Sequence, residues 1–419
     1  MPSLRQTLRT RRQLRRPSGF RFAIAESIGQ LHPEQWDAVT AGQSWFFSRG
    51  YLGMLEAVLP EQIEPRYALV TDEQGRPVAG VVMQWAEVDG SAIRRGTTAE
   101  EDEEEPNPLR RLADKLAQTG KDVMTRRLRD RVLVCGNLLT YGNHALAVAP
   151  DVDPSSLWPA VAEVLYRVRR AEKLSGQAGF VLVKDVTPAH LEATQILRHL
   201  SYRSVETEPN MVLPLAQSWQ AYDDYLNSLA SKYRSAVRQQ ILNPVSKAGL
   251  AVRRFEPTEA MAPRLHDLYL QVHKNAAVRP FTLHPAYFPA LARAAGERVR
   301  YSGVFAGEQL LGFIATLLDG KQAVGYHIGF DREASAEHPL YLRLLHASIE
   351  DSIQMGAYEI SFGRTALEPK ARLGAKPQPM HVWVRHRQPV VNKLVTRLLG
   401  LVHHEEAPQR NPFKGAASG

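Results

Sequence analysis

The chain has 419 residues, 44% of them hydrophobic, and a formal net charge of +8. That length exceeds what one compact core organises and predicts two domains of ordinary size. Its single cysteine, Cys135, excludes an intrachain disulfide and a cysteine-rich zinc site, and points to a reducing compartment such as the cytosol.

In chain order, the head MPSLRQTLRTRRQLRR holds six arginines and no acid. It lacks the apolar centre of a secretory signal, and no later run approaches the ~20 apolar residues of a membrane span. Residues 1–19 are read as a basic disordered head. A solvated tail, a transit peptide and an arm that touches phosphates or lipid are all consistent with it.

An N-terminal domain is drawn over 20–215. Phe47 to Leu59 reads as a short helix, and residues 67–85 as two apolar runs joined at Asp72-Glu73-Gln74-Gly75, the signature of an antiparallel hairpin. Residues 91–129 form an insertion with the acidic run Glu100 to Glu105, which cannot be buried and predicts a mobile loop. A strand over 131–149 then precedes an amphipathic helix from Ser155 to Lys173 and a strand from Gly179 to Asp185.

The same order returns in a C-terminal domain over 216–388. Phe281 to Arg293 is followed by a hairpin over 300–320 that turns at Ala306-Gly307-Glu308-Gln309. A strand from Gln322 to Phe330, a helix from Pro339 to Met355 and a strand from Tyr358 to Arg364 complete the copy. Helix, hairpin, strand, helix and strand twice over predict an α/β (α+β) fold, two halves each with a mixed twisted sheet flanked by helices. The second half opens on SLASKYRSAVRQQ, where Leu226, Leu229, Tyr233, Val237 and Ile241 trace one amphipathic helix that Pro244 ends or kinks. Arg234 and Arg238 lie along the edge of that stripe, where they can reach a cleft. Residues 389–419 form an amphipathic segment and tail, which can dock on the domain or lie on a membrane surface.

Residues 217–387 resemble the FemAB-like branch of the GNAT acyltransferase superfamily, which includes peptidoglycan biosynthesis/recognition-type acetyltransferase domains. The likeness rests on Leu229 to Arg238, on Tyr326-His-Ile-Gly-Phe-Asp331, and on His338-Pro339-Leu340. It continues through Met355 to Arg364, Glu368-Pro-Lys370 and Leu373-Gly374. Such proteins commonly carry tandem GNAT-like halves. Two departures stand out: the chain has no room for the long helical hairpin of transferases that use aminoacyl-tRNA, and Asp331 to His338 contains none of the glycines of a coenzyme A pyrophosphate loop.

The resemblance implies an N-acyltransferase. Its cosubstrate would be acyl-CoA or another activated acyl donor, with an acyl-carrier protein or aminoacyl-tRNA as alternative carriers. The acceptor would be an amine, on a small molecule or a cell-envelope or lipid precursor. Strands 322–330 and 358–364 would splay around the donor, its anion lying over His338 and Leu340 at the next helix start, with Arg332 and Arg343 as charge partners. His327 is the general-base candidate, given an imidazole's ordinary pKa of ~6.5. Strand alternation allows only one of Tyr326 and His327 to line the site. Glu368 and Lys370 would project to one side of an extended segment, Lys370 binding an anion and Glu368 serving as a second base. Arg364 ends the last strand, where ligand residues of open sheets cluster.

Tyr269, His273, Lys274 and Arg279 would wall the acceptor cleft. Tyr269 and His273 share a helix face, but no third ligand accompanies them, so no metal is expected. No nucleophile elbow, P-loop or dinucleotide-binding glycine pattern occurs. A binding protein that kept the fold and lost catalysis, recognising an envelope precursor or lipid head group, is the alternative. Nucleic-acid binding is a third reading, resting on the head and on Arg234 and Arg238. A cytoplasmic protein is expected, with contact to the inner face of the membrane through the head or C-terminal segment as the peripheral option.

Overall fold

The computed structural model describes residues 17–89, 129–171, 178–274, 281–393, 408 and 410–415. The acidic insertion, the Arg-rich head, Arg279 and most of the C-terminal amphipathic segment lie outside these residues.

In the first half, α1 (Pro33–Thr40) and α2 (Arg49–Val58) precede the hairpin β2 (Ile63–Thr71) and β3 (Pro77–Asp89). Helix α2 starts where Ser48 Oγ accepts from the Tyr51 amide at 3.2 Å, and it buries Tyr51, Leu52, Leu55 and Val58 at helical spacing. The hairpin closes as Asp72 Oδ1 accepts from Gln74 N and Arg76 N at 3.0 and 2.9 Å, with Gly75 at φ +86°. The strand expected over 131–149 is split. β4 (Arg129–Cys135) pairs with β3 near one end, β5 (Leu146–Val148) pairs with β3 near the other, and a loop over 136–145 stands out between them. α3 (Pro154–Ala171), β6 (Ala178–Val186) and β7 (Arg203–Pro214) complete this half.

The second half repeats this order. α4 (Tyr222–Ser228) and α5 (Ser231–Val237) lead through β8 (Leu250–Phe255) to α6 (Ala262–His273) and α7 (Tyr287–Ala295). The hairpin β9 (Val299–Ala306) and β10 (Gln309–Asp319) turns at Gly307, which takes φ +57°. β11 (Gln322–Phe330), α8 (Arg332–Glu337), α9 (Leu340–Gln354), β12 (Glu359–Ser361), α10 (Leu367–Arg372) and β13 (Lys376–His386) complete the fold.

All thirteen strands among the described residues belong to one sheet, ordered β1 (Arg21–Ala25), β2, β3, β4, β6, β13, β7, β12, β11, β10, β9, β8, with β5 on β3. The final strand of each half is therefore exchanged. β13 pairs antiparallel with β6 of the first half, β7 pairs antiparallel with β12 of the second, and the two run antiparallel to each other at the centre. The halves are thus fused, and they also share a core. On one face, Trp36, Phe46, Leu55 and Tyr67 belong to the same buried cluster as Leu265, Phe288, Phe313 and Tyr326. On the other face, α3 covers the first half and α9 with α4 and α5 covers the second.

The helix expected through SLASKYRSAVRQQ is broken. α4 ends at Ser228, and Leu229 forms a bridge with Phe413 of the tail. Ala230 N donates to Pro412 O at 2.8 Å and Lys414 N to Ser228 O at 2.9 Å. The described end of the tail thus docks on the second half. Pro244 does not end the helix: a π-turn over Arg238–Leu242 leads directly into a further α-helical turn at Asn243–Lys247.

Candidate functional site

The parallel pairing of β11 with β12 stops at Val324 and Ser361, so Gly325 to Phe330 have no strand on that side. This is the splay expected of the second half. Opposite it, the β10 register jumps from Ala315–His327 to Thr316–Gly325 and leaves Tyr326 as a bulge. A bulge breaks side-chain alternation. Tyr326 and His327 therefore share a face, with ring centroids 4.2 Å apart, and the expectation that only one could reach the site is corrected.

Both residues join a buried polar network at the seam between halves. Tyr287 Oη donates to Tyr326 Oη at 2.9 Å and lies 3.2 Å from His327 Nε2. Tyr51 Oη, from the first half, lies 3.0 Å from Tyr326 Oη and accepts from Asn137 Nδ2 at 3.0 Å. Burial raises Tyr51, Tyr287 and Tyr326 above the ordinary phenol range and pushes His327 down to about 3. At neutral pH this is a set of neutral hydroxyls and a neutral imidazole. Burial thus disfavours the imidazolium that proton uptake by His327 would form.

The loop over 136–145 carries the network across the seam. Lys184 Nζ donates to Thr140 O at 2.8 Å, and Gly142 N to Asp185 Oδ2 at 3.2 Å. Asp185 is 1% exposed and sits at φ +57°, a left-handed conformation that Asp tolerates better than most residues. It forms ion pairs with Lys184 and with Arg364 of the second half. Burial pushes the Asp185 carboxyl up, but the two cations outweigh it and hold the group below its ordinary value; burial pushes Lys184 down. Glu208 also acts electrostatically on Tyr141 beside this cluster, so two carboxylates stand against the two cations. Tyr141, 42% exposed, packs its ring on Gly363 beside this cluster.

Arg364 was expected at a ligand, and its partner in the structure is Asp185. Lys370 forms no ion pair among the described residues: it is 3% exposed and donates to the carbonyls of Gly363, Arg364 and Thr365 at 3.3, 2.6 and 2.8 Å. Burial pushes it down to about 7. Those carbonyls belong to a loop in which Gly363, Thr365 and Ala366 all take positive φ, so Lys370 holds a strained turn in place. Glu368 and Lys370 lie on the short helix α10, not on an extended segment, and two residues apart on a helix they face different ways. Glu368 pairs with Arg372 and Arg410, each at 2.9 Å.

The expected donor-phosphate residues do not form a cradle. The glycine-free segment after β11 folds into α8, capped where Asp331 accepts from Ala334 N at 3.1 Å. The Leu340 side chain is fully buried, and its amide already donates to His338 O at 2.7 Å. Arg332 is exposed, His338 half-buried beside Glu337, and Arg343 half-buried near Tyr222. Arg343 Nη1 and His346 Nε2 are buried without a hydrogen-bond partner among the described residues.

On the wall of the seam, Tyr269 and His273 stack with centroids 5.0 Å apart. The helix carrying them touches β11 backbone to backbone, since a Cβ on Gly329 would meet Tyr269 N at 2.6 Å. Arg234 donates to Leu229 O at 3.4 Å and Arg238 is exposed; both lie on the α9 face, opposite the tyrosine network. Among the described residues no group of three or more His, Cys, Asp or Glu is placed to hold a metal ion. Sequence reasoning missed Tyr51, Tyr287, Asn137, Lys184, Asp185 and Tyr141. The repeat held one usable signal, because it aligns Asp185 with Arg364.

Residues 231–371 match the family model of the acetyltransferase (GNAT) domain. No curated protein matches the chain. The fold is similar to the crystal structure of FemX, at 11% identity and TM-score 0.53 over 89% of this chain and 100% of that one. L-PGS from Bacillus licheniformis aligns at 12% identity and TM-score 0.48, covering 88% and 97% of the two chains. A tandem GNAT protein from the clavulanic acid biosynthesis pathway aligns at 11% and 0.47, covering 88% and 99%.

Proposed function

We propose that this chain, whose residues 231–371 match the acetyltransferase (GNAT) family model and whose fold is similar to that of FemX, moves an acyl or aminoacyl group from an activated ester or thioester to an amine at the seam. The observation that carries this reading is the bulge at Tyr326, which turns Tyr326 and His327 together into the splay of β11 and β12. Acyl transfer to an amine needs a held acyl carbon, donors for the developing oxyanion and a route for the proton. The neutral Tyr326–Tyr287–His327 set supplies hydroxyl and imidazole donors that need no protonation change.

The donor is the finer question. Helix α8 stands where a glycine-rich pyrophosphate loop would be needed. That favours an ester or thioester carrier not gripped there by its phosphates, such as an aminoacyl-tRNA or an acyl-carrier protein. The acceptor is an amine of small-molecule, lipid or envelope-precursor type. No described helix is long and apolar enough to cross a membrane; a peripheral encounter with a membrane-borne acceptor belongs to the same proposal.

The test is a single-turnover assay with acetyl-CoA, acyl-carrier protein thioesters and aminoacyl-tRNA, each with a panel of amines and read by mass spectrometry. Transfer from a carrier other than coenzyme A, reduced at least tenfold by Tyr326→Phe in a variant that still folds, is the expected result. Transfer from acetyl-CoA alone overturns the donor assignment. No transfer from any donor returns the chain to the binding-protein reading.

A further inference from the structure

Asp185 lies near one end of β6. At the other end, β6 begins beside the last residues of β13, where Arg385 is in register with Val181 and His386 with Phe180. Arg387 follows, its amide donating to Gly179 O at 3.0 Å. The Arg385 guanidinium lies 5.6 Å from the centre of the Tyr202 ring, which belongs to the core that α3 covers. The last turn of α3 carries Arg169 and Arg170 to the same place. We propose that Arg169, Arg385 and Arg387, with the exposed Tyr166 and Val390 at their margin, form a docking surface for an anionic lipid membrane.

The charge there has no internal purpose. None of the three guanidinium groups forms an ion pair among the described residues, whereas Arg76, Arg167 and Arg253 each hold a carboxylate. Burial pushes Arg169 below its ordinary value, and Arg385 and Arg387 push it the same way. Like charges gathered without an acid repel one another, and an external anion removes that cost. The C-terminal end of α3 favours cations in its last turn and so accommodates Arg169 and Arg170. It does not account for the two arginines of the strand end.

The margin selects the kind of anion. After Arg387 the chain makes a helical turn over 389–393, fastened where Asn392 Oδ1 accepts from His386 N at 2.7 Å and Nδ2 donates to Ser201 O at 2.9 Å. This leaves Val390 72% exposed, and Tyr166, three residues before Arg169, is 47% exposed. The phosphates of a nucleic acid offer a valine nothing to enter. A bilayer interface takes both kinds of group, its phosphates meeting the guanidinium groups while apolar and aromatic side chains enter beneath the headgroups.

The test is co-sedimentation of the full chain with vesicles of phosphatidylcholine and phosphatidylglycerol in equal parts, against vesicles of phosphatidylcholine alone. Binding to the anionic vesicles that weakens with added salt is expected. Because the chain carries a net charge of +8, Arg385→Gln with Arg387→Gln is compared with Arg253→Gln with Arg298→Gln, which removes equal charge near the far edge of the sheet. The first pair should weaken binding about tenfold and the control pair less than about twofold. Val390→Ser, which leaves the charge unchanged, should weaken it about fivefold. Arg169→Gln reads the same surface should the strand pair not fold. Equal losses from the two pairs, indifference to Val390→Ser, equal binding to both kinds of vesicle, or no binding would each overturn the proposal. So would a loss of tRNA affinity in the first pair that vesicle binding does not share, which assigns the surface to nucleic acid. None of these outcomes bears on acyl transfer at the seam.

Discussion

Arg364 and Asp185 stand at equivalent places in the two halves, each closing the strand segment beyond the crossover helix, and they pair with each other across the seam. The repeat thus meets itself at one ion pair. Asp185 is almost wholly buried and Arg364 is 24% exposed, so the two ends differ in energetic weight. Asp185→Ala leaves the Lys184 cation in a buried place without its carboxylate and should destabilise by about 3–5 kcal/mol. Arg364→Ala leaves Asp185 with Lys184 and the Gly142 amide, and should lose about 1–3 kcal/mol. Denaturant midpoints of both single variants and the double variant give the coupling, expected in the range of about 0.5–3 kcal/mol. Strictly additive losses would deny that the pair ties the halves together.

Acid should unfold the protein earlier than carboxylate titration alone would. Burial pushes His144, His327 and His346 down to about 3, whereas an unfolded histidine titrates near ~6.5. Between these values the unfolded chain binds more protons, so stability falls as pH drops through that window. Three such groups give a slope of up to about 4 kcal/mol per pH unit. Chemical denaturation at half-unit steps from pH 8 to 4.5 measures it, and a flat profile above pH 5 would contradict the buried, neutral state of these rings.

Lys370 predicts a structural phenotype. Lys370→Met removes the donor shared by three carbonyls and should lose about 1–3 kcal/mol, with Arg364 displaced. Ala366→Gly relaxes a residue held at φ +47° and should stabilise by up to about 1 kcal/mol. Melting curves of the two variants should therefore move in opposite directions. A Lys370→Met protein of full stability and no activity would restore Lys370 as a group acting on substrate.

Two glycines of β11 should behave differently. A methyl on Gly329 meets backbone of α6, at Tyr269 N and at Leu268 C 2.8 Å away, whereas one on Gly325 finds only ordinary contacts at 3.5 Å or more. Backbone cannot give way as a side chain can. Gly329→Ala should lose about 1–3 kcal/mol and Gly325→Ala less than about 1 kcal/mol, as read by thermal unfolding. Equal losses would mean that α6 is not pressed on the strand.

Much of the architecture was legible because its signals are local. The hairpins at Asp72–Gly75 and Gly307 come from turn chemistry. The helices α2, α7 and α9 come from apolar spacing, and the tandem order from laying one half on the other. The site was less legible. Tyr326 and His327 were identified as residues, but their common face depends on a bulge that only pairing with β10 creates. Lys370 was singled out from a resemblance, and its three carbonyl partners exist only once the Gly363–Ala366 turn has formed.

The sequence by itself determined the repeat, the mixed α/β class and the missing glycines after β11, since composition, periodicity and turn residues act over a few positions. Only the tertiary structure decided that the last strands change places, that Asp185 meets Arg364, and that His327 is a neutral group. Each of these depends on groups far apart in the chain and on the loss of water around them, and neither distance nor solvation is written in local sequence.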